Sequence, residues 1–156
     1  MTTTITSAKL KVTIIESVKL KGKDQGATTE LTINDINEVA SRIVTATTTE
    51  AVIIAMGTVI AAGQFLESKV RYIRITNLDD TNHVSLTFRN EDSDEFGVKL
   101  DKGQSFIYNG DLSGGVVDTM EAAATAITPG TFADLVDITA LADTASCDLE
   151  IFVASA

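Results

Sequence analysis

Residues 70–108 contain four runs of alternating apolar and polar side chains, each closed by a short stretch rich in Asn, Asp or Gly. The first, VRYIRITN at 70–77, ends in the polar turn LDDTN. HVSLTFR at 83–89 puts Val84, Leu86 and Phe88 on one face, and the acidic NEDSDE leads into FGVKL at 96–100. DKG then turns the chain into QSFIY at 104–108. A period of two matches a pleated strand, whose successive side chains point to opposite faces. The run is expected to form four strands of a half-buried antiparallel sheet. It carries no catalytic motif, so the most ordered part of the chain reads as framework.

Other segments extend the pattern. Leu10, Val12 and Ile14 alternate with Lys9, Lys11 and Thr13 before the register slips at Ile14 and Ile15, as a bulge would cause. TELTIN at 29–34 alternates again with Leu31 and Ile33 inward. Residues 50–56 read as a buried strand, and 59–65 as another, with Gly57 and Gly63 at the turns. LVDITAL at 135–141 and DLEIFVA at 148–154 give the last two strands. In the latter, Cys147, Leu149, Ile151 and Val153 share one face. Two segments also fit a helix. Asn34 or Asp35 is placed to cap one, with Glu38 in its first turn, although Val39, Ser41, Ile43 and Thr45 fit a strand equally. Residues 120–127 have the best helix propensity of the chain, yet fit along a sheet as well. The expected fold is all-β, an antiparallel β-sandwich or jelly-roll-like barrel of eight to ten strands with at most one short helix. Residues 1–25 read as a Thr/Lys-rich N-terminal arm or first strand, which includes the Thr-rich start at Met1, and 26–156 as a single domain.

Composition narrows the classes of function. Hydrophobic residues make up 44% of 156, too many for a disordered chain despite the net charge of −10. Charge is unevenly spread: Lys9, Lys11, Lys19, Lys21 and Lys23 face only Glu16 among residues 1–23, whereas residues 103–156 have acids and no Lys or Arg. This fits a basic arm meeting an acidic surface of a neighbouring copy. It equally fits an edge strand guarded by lysines. Nucleic-acid binding is disfavoured, since phosphate neutralisation needs clustered cations. Cys147 has no partner for an intramolecular disulfide and reads as a buried thiol. No signal peptide is evident, and the longest apolar stretch, 51–63, is broken by Gly57 and Thr58 before it is long enough to span a bilayer. A soluble chain made in a reducing cytoplasm is expected, with no membrane association.

Catalytic and metal chemistry find little foothold. His83 is the only histidine and opens a strand after a turn, and no nucleophile motif, P-loop or dinucleotide fingerprint accompanies it. No catalytic, cofactor-binding or metal-binding residue is assigned, and no cofactor is expected. Asn90, Asp92, Asp94 and Asp101 approximate a calcium loop, but the mid-loop Gly is absent and the flanks are strands. Asp79 and Asp80 would add oxygens only if the two turns met, and consecutive hairpin turns lie at opposite ends of a sheet. Tyr72 and Tyr108 with Arg71 and Arg74 would form a small recognition surface, or simply pair across strands.

The segments VRYIRITNLDDTN at 70–82, VKLDKGQSF at 98–106 and DLEIFVASA at 148–156 resemble small β-rich virion proteins of tailed bacteriophages. The resemblance covers roughly residues 70–108 and 135–156 and carries over no functional residue. It implies a non-enzymatic decoration (cement) protein that binds and stabilises the capsid, with the major capsid protein or another virion protein as partner. The chain would be a homo-oligomer, a trimer, located in the virion. The alternative is a neck, tail or fibre accessory or receptor-binding module, with calcium in the acidic turns.

Overall fold

The structure is a computed structural model that describes residues 4–156, so the Thr-rich start at residues 1–3 lies outside the described residues. Thirteen strands follow in order: β1 Ala8–Ile15, β2 Lys19–Leu20, β3 Lys23–Asp24, β4 Thr28–Ile36, β5 Glu38–Ala46, β6 Ala51–Gly57, β7 Phe65–Leu66, β8 Val70–Asn77, β9 Val84–Asn90, β10 Glu95–Leu100, β11 Ser105–Asn109, β12 Leu135–Ala142 and β13 Cys147–Ser155. The fold is all-β, with no helix among the described residues.

Eight of these strands make a two-sheet sandwich. One sheet has the order β11-β8-β13-β5, and the other β10-β9-β12-β6 with β7 added in parallel at the edge. Each strand of the first sheet is joined in sequence to its counterpart in the second: β5 to β6, β8 to β9, β11 to β10, and β13 to β12. This is jelly-roll connectivity, a long antiparallel ribbon wound on itself. The four strands of residues 70–108 are therefore real, but they do not form one sheet. β8 pairs with β11, while β9 and β10 form a hairpin in the opposite sheet.

The core fills the space between the sheets. Ile73 and Ile75 of β8 and Leu149, Ile151 and Val153 of β13 face Val84, Leu86, Phe88 and Ile138 of the other sheet, all at most 1% exposed. Cys147 is buried beside them. Phe88 stacks on its cross-strand partner Phe96, with ring centroids 4.7 Å apart, and meets Phe106 and Tyr108 from the facing sheet.

Two buried asparagines hold opposite ends of the sandwich. Asn77 donates to the carbonyls of Asn82 and Leu100 and accepts from the Asp79 amide. Asn90 accepts from the Asp94 amide and donates to the Met120 carbonyl. All the polar groups of these side chains that point inward thus find partners, as burial demands.

Three segments depart from expectation. Asp35 caps no helix. It adopts φ 59° in a bulge of β4, where two residues of β4 oppose one of β1. Residues 120–127 form no helix either. Met120 is 1% exposed and pairs with Ala133, whereas residues 123–127 are exposed. A lone eight-residue helix with one buried anchor cannot recover its nucleation cost. Residues 59–64 form a loop with Val59 and Ile60 exposed, and only Phe65–Leu66 is strand.

Candidate functional site

The most unusual surface is a hairpin outside the sandwich. β1 pairs antiparallel with β4, and the short β2–β3 pair continues the hairpin to its tip. At the tip Lys21 and Gly22 have φ of 51° and 78°. Two consecutive left-handed residues match the twist of a two-residue hairpin turn, and Gly takes one of them without strain. Between the two ladders, Glu16 donates its amide to the Ala27 carbonyl and Gln25 donates to that of Val18. A Cβ at Gly26 would overlap the Glu16 carbonyl oxygen, so the strands approach closely there only because residue 26 is glycine.

The base of the hairpin is anchored. Ile33 and Ile36 of β4 are buried against Tyr72 and Ala154, with Leu10, Val12, Leu31, Ile107 and Phe152 around them. This second core covers the outer face of β8, β11 and part of β13. Beyond it, every residue from 13 to 30 is exposed except Gly26. Ile15 is 71% exposed, Leu20 63% and Val18 51%, and Lys19, Lys21 and Lys23 surround them. Lys11 pairs with Glu30 across the strands at 2.8 Å. The lysines noted in the sequence therefore lie on a hairpin whose return strand, β4, reaches past residue 25.

A second apolar surface is left bare beside the hairpin. β5 is an edge strand, paired with β13 on one side only. Val39, Ser41, Ile43 and Thr45 are exposed, with Val39 at 54% and Ile43 at 63%. In register with them on β13 stand Ala154, Phe152, Glu150 and Asp148. Past the end of this strip, Thr45, Leu78, Asp79, Asp80, Ser146 and Asp148 line a shallow recess. The strip is apolar along β5 and acidic at its far end.

No family model matches this chain, and no curated protein matches it. Among solved structures it is similar to a chain of Bacillus endospore appendages, described as a novel family of disulfide-linked pili. The TM-score is 0.45 at 11% identity, with 76% of this chain and 84% of that chain covered. At that score and identity the likeness carries no functional argument.

The remaining sequence candidates are dispersed by the fold. His83 Nδ1 lies 3.7 Å from Asp143. Asp92 and Asp94 lie at one end of β10 and Asp101 at the other, about 20 Å apart along the strand. Asn90 is buried and turned inward. Among the described residues no group of three or more His, Cys, Asp or Glu is placed to hold a metal. Asp79 accepts the amides of Asn82 and Thr81, which hold its carboxyl below the usual range, and Asp111 does the same with Ser113 and Gly114. These acids shape their turns. Tyr72 is buried under the hairpin, Tyr108 donates to Thr119, and Arg74 pairs with Glu150. Arg71 donates to the carbonyls of Ser68 and Ser113. The four do not form a recognition surface.

One carboxyl was not visible from the sequence. Glu67 is 6% exposed, and burial raises its pKa, helped by the nearby Asp134 and Glu91. A carboxyl with a higher pKa when folded holds its proton more tightly in the native state. Stability contributed by the protonated form is therefore lost as pH rises from the ordinary value of 4.5 through the folded value. Glu67→Gln is expected to raise the melting temperature above that window and leave it unchanged below. A melting series across pH ~3.5–8 reads this, and an equal gain at every pH would contradict it.

Proposed function

We propose that this chain is a non-enzymatic structural protein that works as one subunit of a larger assembly. The observation that carries the reading is its surface. The chain exposes 9411 Å², against about 7,500 Å² for a compact monomer of its 16.5 kDa mass. The excess, about 1,900 Å², is comparable to the total area buried in a standard protein–protein contact, about 1,600 Å². The hairpin adds to it, since every residue from 13 to 30 except Gly26 is exposed, and its apolar side chains would cost free energy if left in water.

The finer form of the proposal follows the resemblance to phage virion proteins. The chain would decorate a capsid shell as a homo-oligomer, a trimer at sites of local threefold symmetry, and tie neighbouring shell subunits together. Jelly-roll connectivity agrees with this but does not carry it, because one fold hosts many functions. The test is to mix the purified chain with expanded capsid shells. Co-sedimentation and a raised shell melting temperature are expected. Absence of binding to any head or tail particle would remove the virion reading.

A further inference from the structure

We infer that the hairpin of one copy docks on the bare strip along β5 of a second copy of this chain. The inference rests on the assembly reading and names its homotypic contact. The two surfaces are complementary in three respects. First, both are apolar where they would meet: Ile14, Ile15, Val18 and Leu20 on the hairpin, Val39 and Ile43 on the strip. Second, the hairpin tip carries Lys19, Lys21 and Lys23 against the single acid Asp24, while the far end of the strip carries Asp79, Asp80 and Asp148. Opposite charges there would set the direction of docking and speed encounter. Third, the lengths agree. The hairpin extends about eight residues past its anchored base, about 25 Å at ~3.3 Å per residue, and the nine-residue β5 spans about 30 Å.

Contact within one molecule is not the alternative. The hairpin base is fixed to Tyr72 and Ala154 by Ile33 and Ile36, and residues 13–30 stand in solvent rather than on their own strip. β5 also has the character of a strand awaiting a cover. It is nine residues long and its charged residues, Glu38 and Arg42, lie on the opposite parity to Val39, Ser41, Ile43 and Thr45, so the outward face exposes Val and Ile with no charge among them. Because hairpin and strip are different surfaces, the contact is head-to-tail and builds a closed ring or an open chain.

The test uses sedimentation velocity of the full chain over a concentration series, without any shell present. Wild type is expected to associate. Two variants each remove one half of the contact. In the first, residues 13–30 are replaced by Asn-Gly, joining the register partners Val12 and Leu31 through a two-residue turn. In the second, Ile43→Lys puts a cation where the hairpin's apolar side chains land. Each alone is expected to lose self-association by about tenfold or more, with circular dichroism and melting temperature confirming the fold. A third variant, Lys19→Glu with Lys21→Glu and Lys23→Glu, lies far from either core and should, like the first, lose self-association through the hairpin while keeping the strip. Mixed in equal amounts, the hairpin-deleted chain and Ile43→Lys should form a heterodimer, since one supplies the strip and the other the hairpin. A monomeric wild type, a variant that still self-associates, or a mixture that stays monomeric would each overturn the inference. A chain that is monomeric yet binds shells would sink this contact and leave the assembly reading intact. One that self-associates yet ignores shells would keep the contact and remove the capsid.

Discussion

Phe88→Ala is expected to destabilise the fold by about 3–5 kcal/mol, the cost of truncating a fully buried Phe and leaving its cavity. The position is more demanding than an average core site. Phe88 is 0% exposed, and its ring stacks on Phe96 within its own sheet and lies 5.1 Å from Phe106 and 5.6 Å from Tyr108 in the other. With aromatics only 5% of the chain and no Trp, no comparable ring cluster backs it up. Val, Ile and Leu dominate the rest of the interface between the sheets. At ~2–4 °C per kcal/mol for a domain of this size, the melting temperature should fall by roughly 10–15 °C. Thermal melts followed by circular dichroism read this directly, and a fall of under about 4 °C, worth only ~1–2 kcal/mol, would mean the two sheets are not held together there.

Gly115→Ala is expected to cost about 2–4 kcal/mol, from two additive sources. Gly115 has φ 73°, a conformation that costs an L-residue about 1–2 kcal/mol. Its Cβ would also overlap the carbonyl oxygen of Glu67, and that oxygen accepts the amide of Val116. Backbone must therefore move, which threatens the Asp111–Gly115 bridge and the Ser113 carbonyl that accepts from Arg71. Gly103 supplies the control. It has φ 69° but nothing within 4 Å of its Cβ position. Gly103→Ala should show the backbone term alone, about 1–2 kcal/mol. Equal losses at both sites would show that the close approach at Gly115 is not what matters.

Much of the sandwich was legible in the alternation. The inward sets Val84, Leu86, Phe88 and Cys147, Leu149, Ile151, Val153 are buried as the period of two requires. What alternation cannot say is which sheet a strand joins. Both sheets of a sandwich bury one face, so β8 and β9 look alike in sequence although the six residues between them cross from one sheet to the other. The pairing of β1 with β4 is likewise long-range. A usable local signal was present: Lys21-Gly22 lies midway between two alternating segments, a two-residue turn flanked by strands. The apolar strip on β5 had a signal too, since EVASRIVTA carries Val and Ile on its outward face as well as Ala and Val on its inward one. A strand at a sheet edge whose outward face carries Val and Ile with no charge asks for a cover. Glu67 had none, because its burial depends on how the loops at residues 58–69 and 110–134 close over the end of the sandwich.

The projecting hairpin should be buried in the working state of the protein. Hydrogen exchange of the assembled chain, compared with the same chain diluted to monomer, tests it most directly. Slowed exchange is predicted for amides of residues 13–30 and of β5, with the interior strands β8, β9 and β13 unchanged. Exchange at residues 13–30 that stays as fast in the assembly as in the monomer would contradict it.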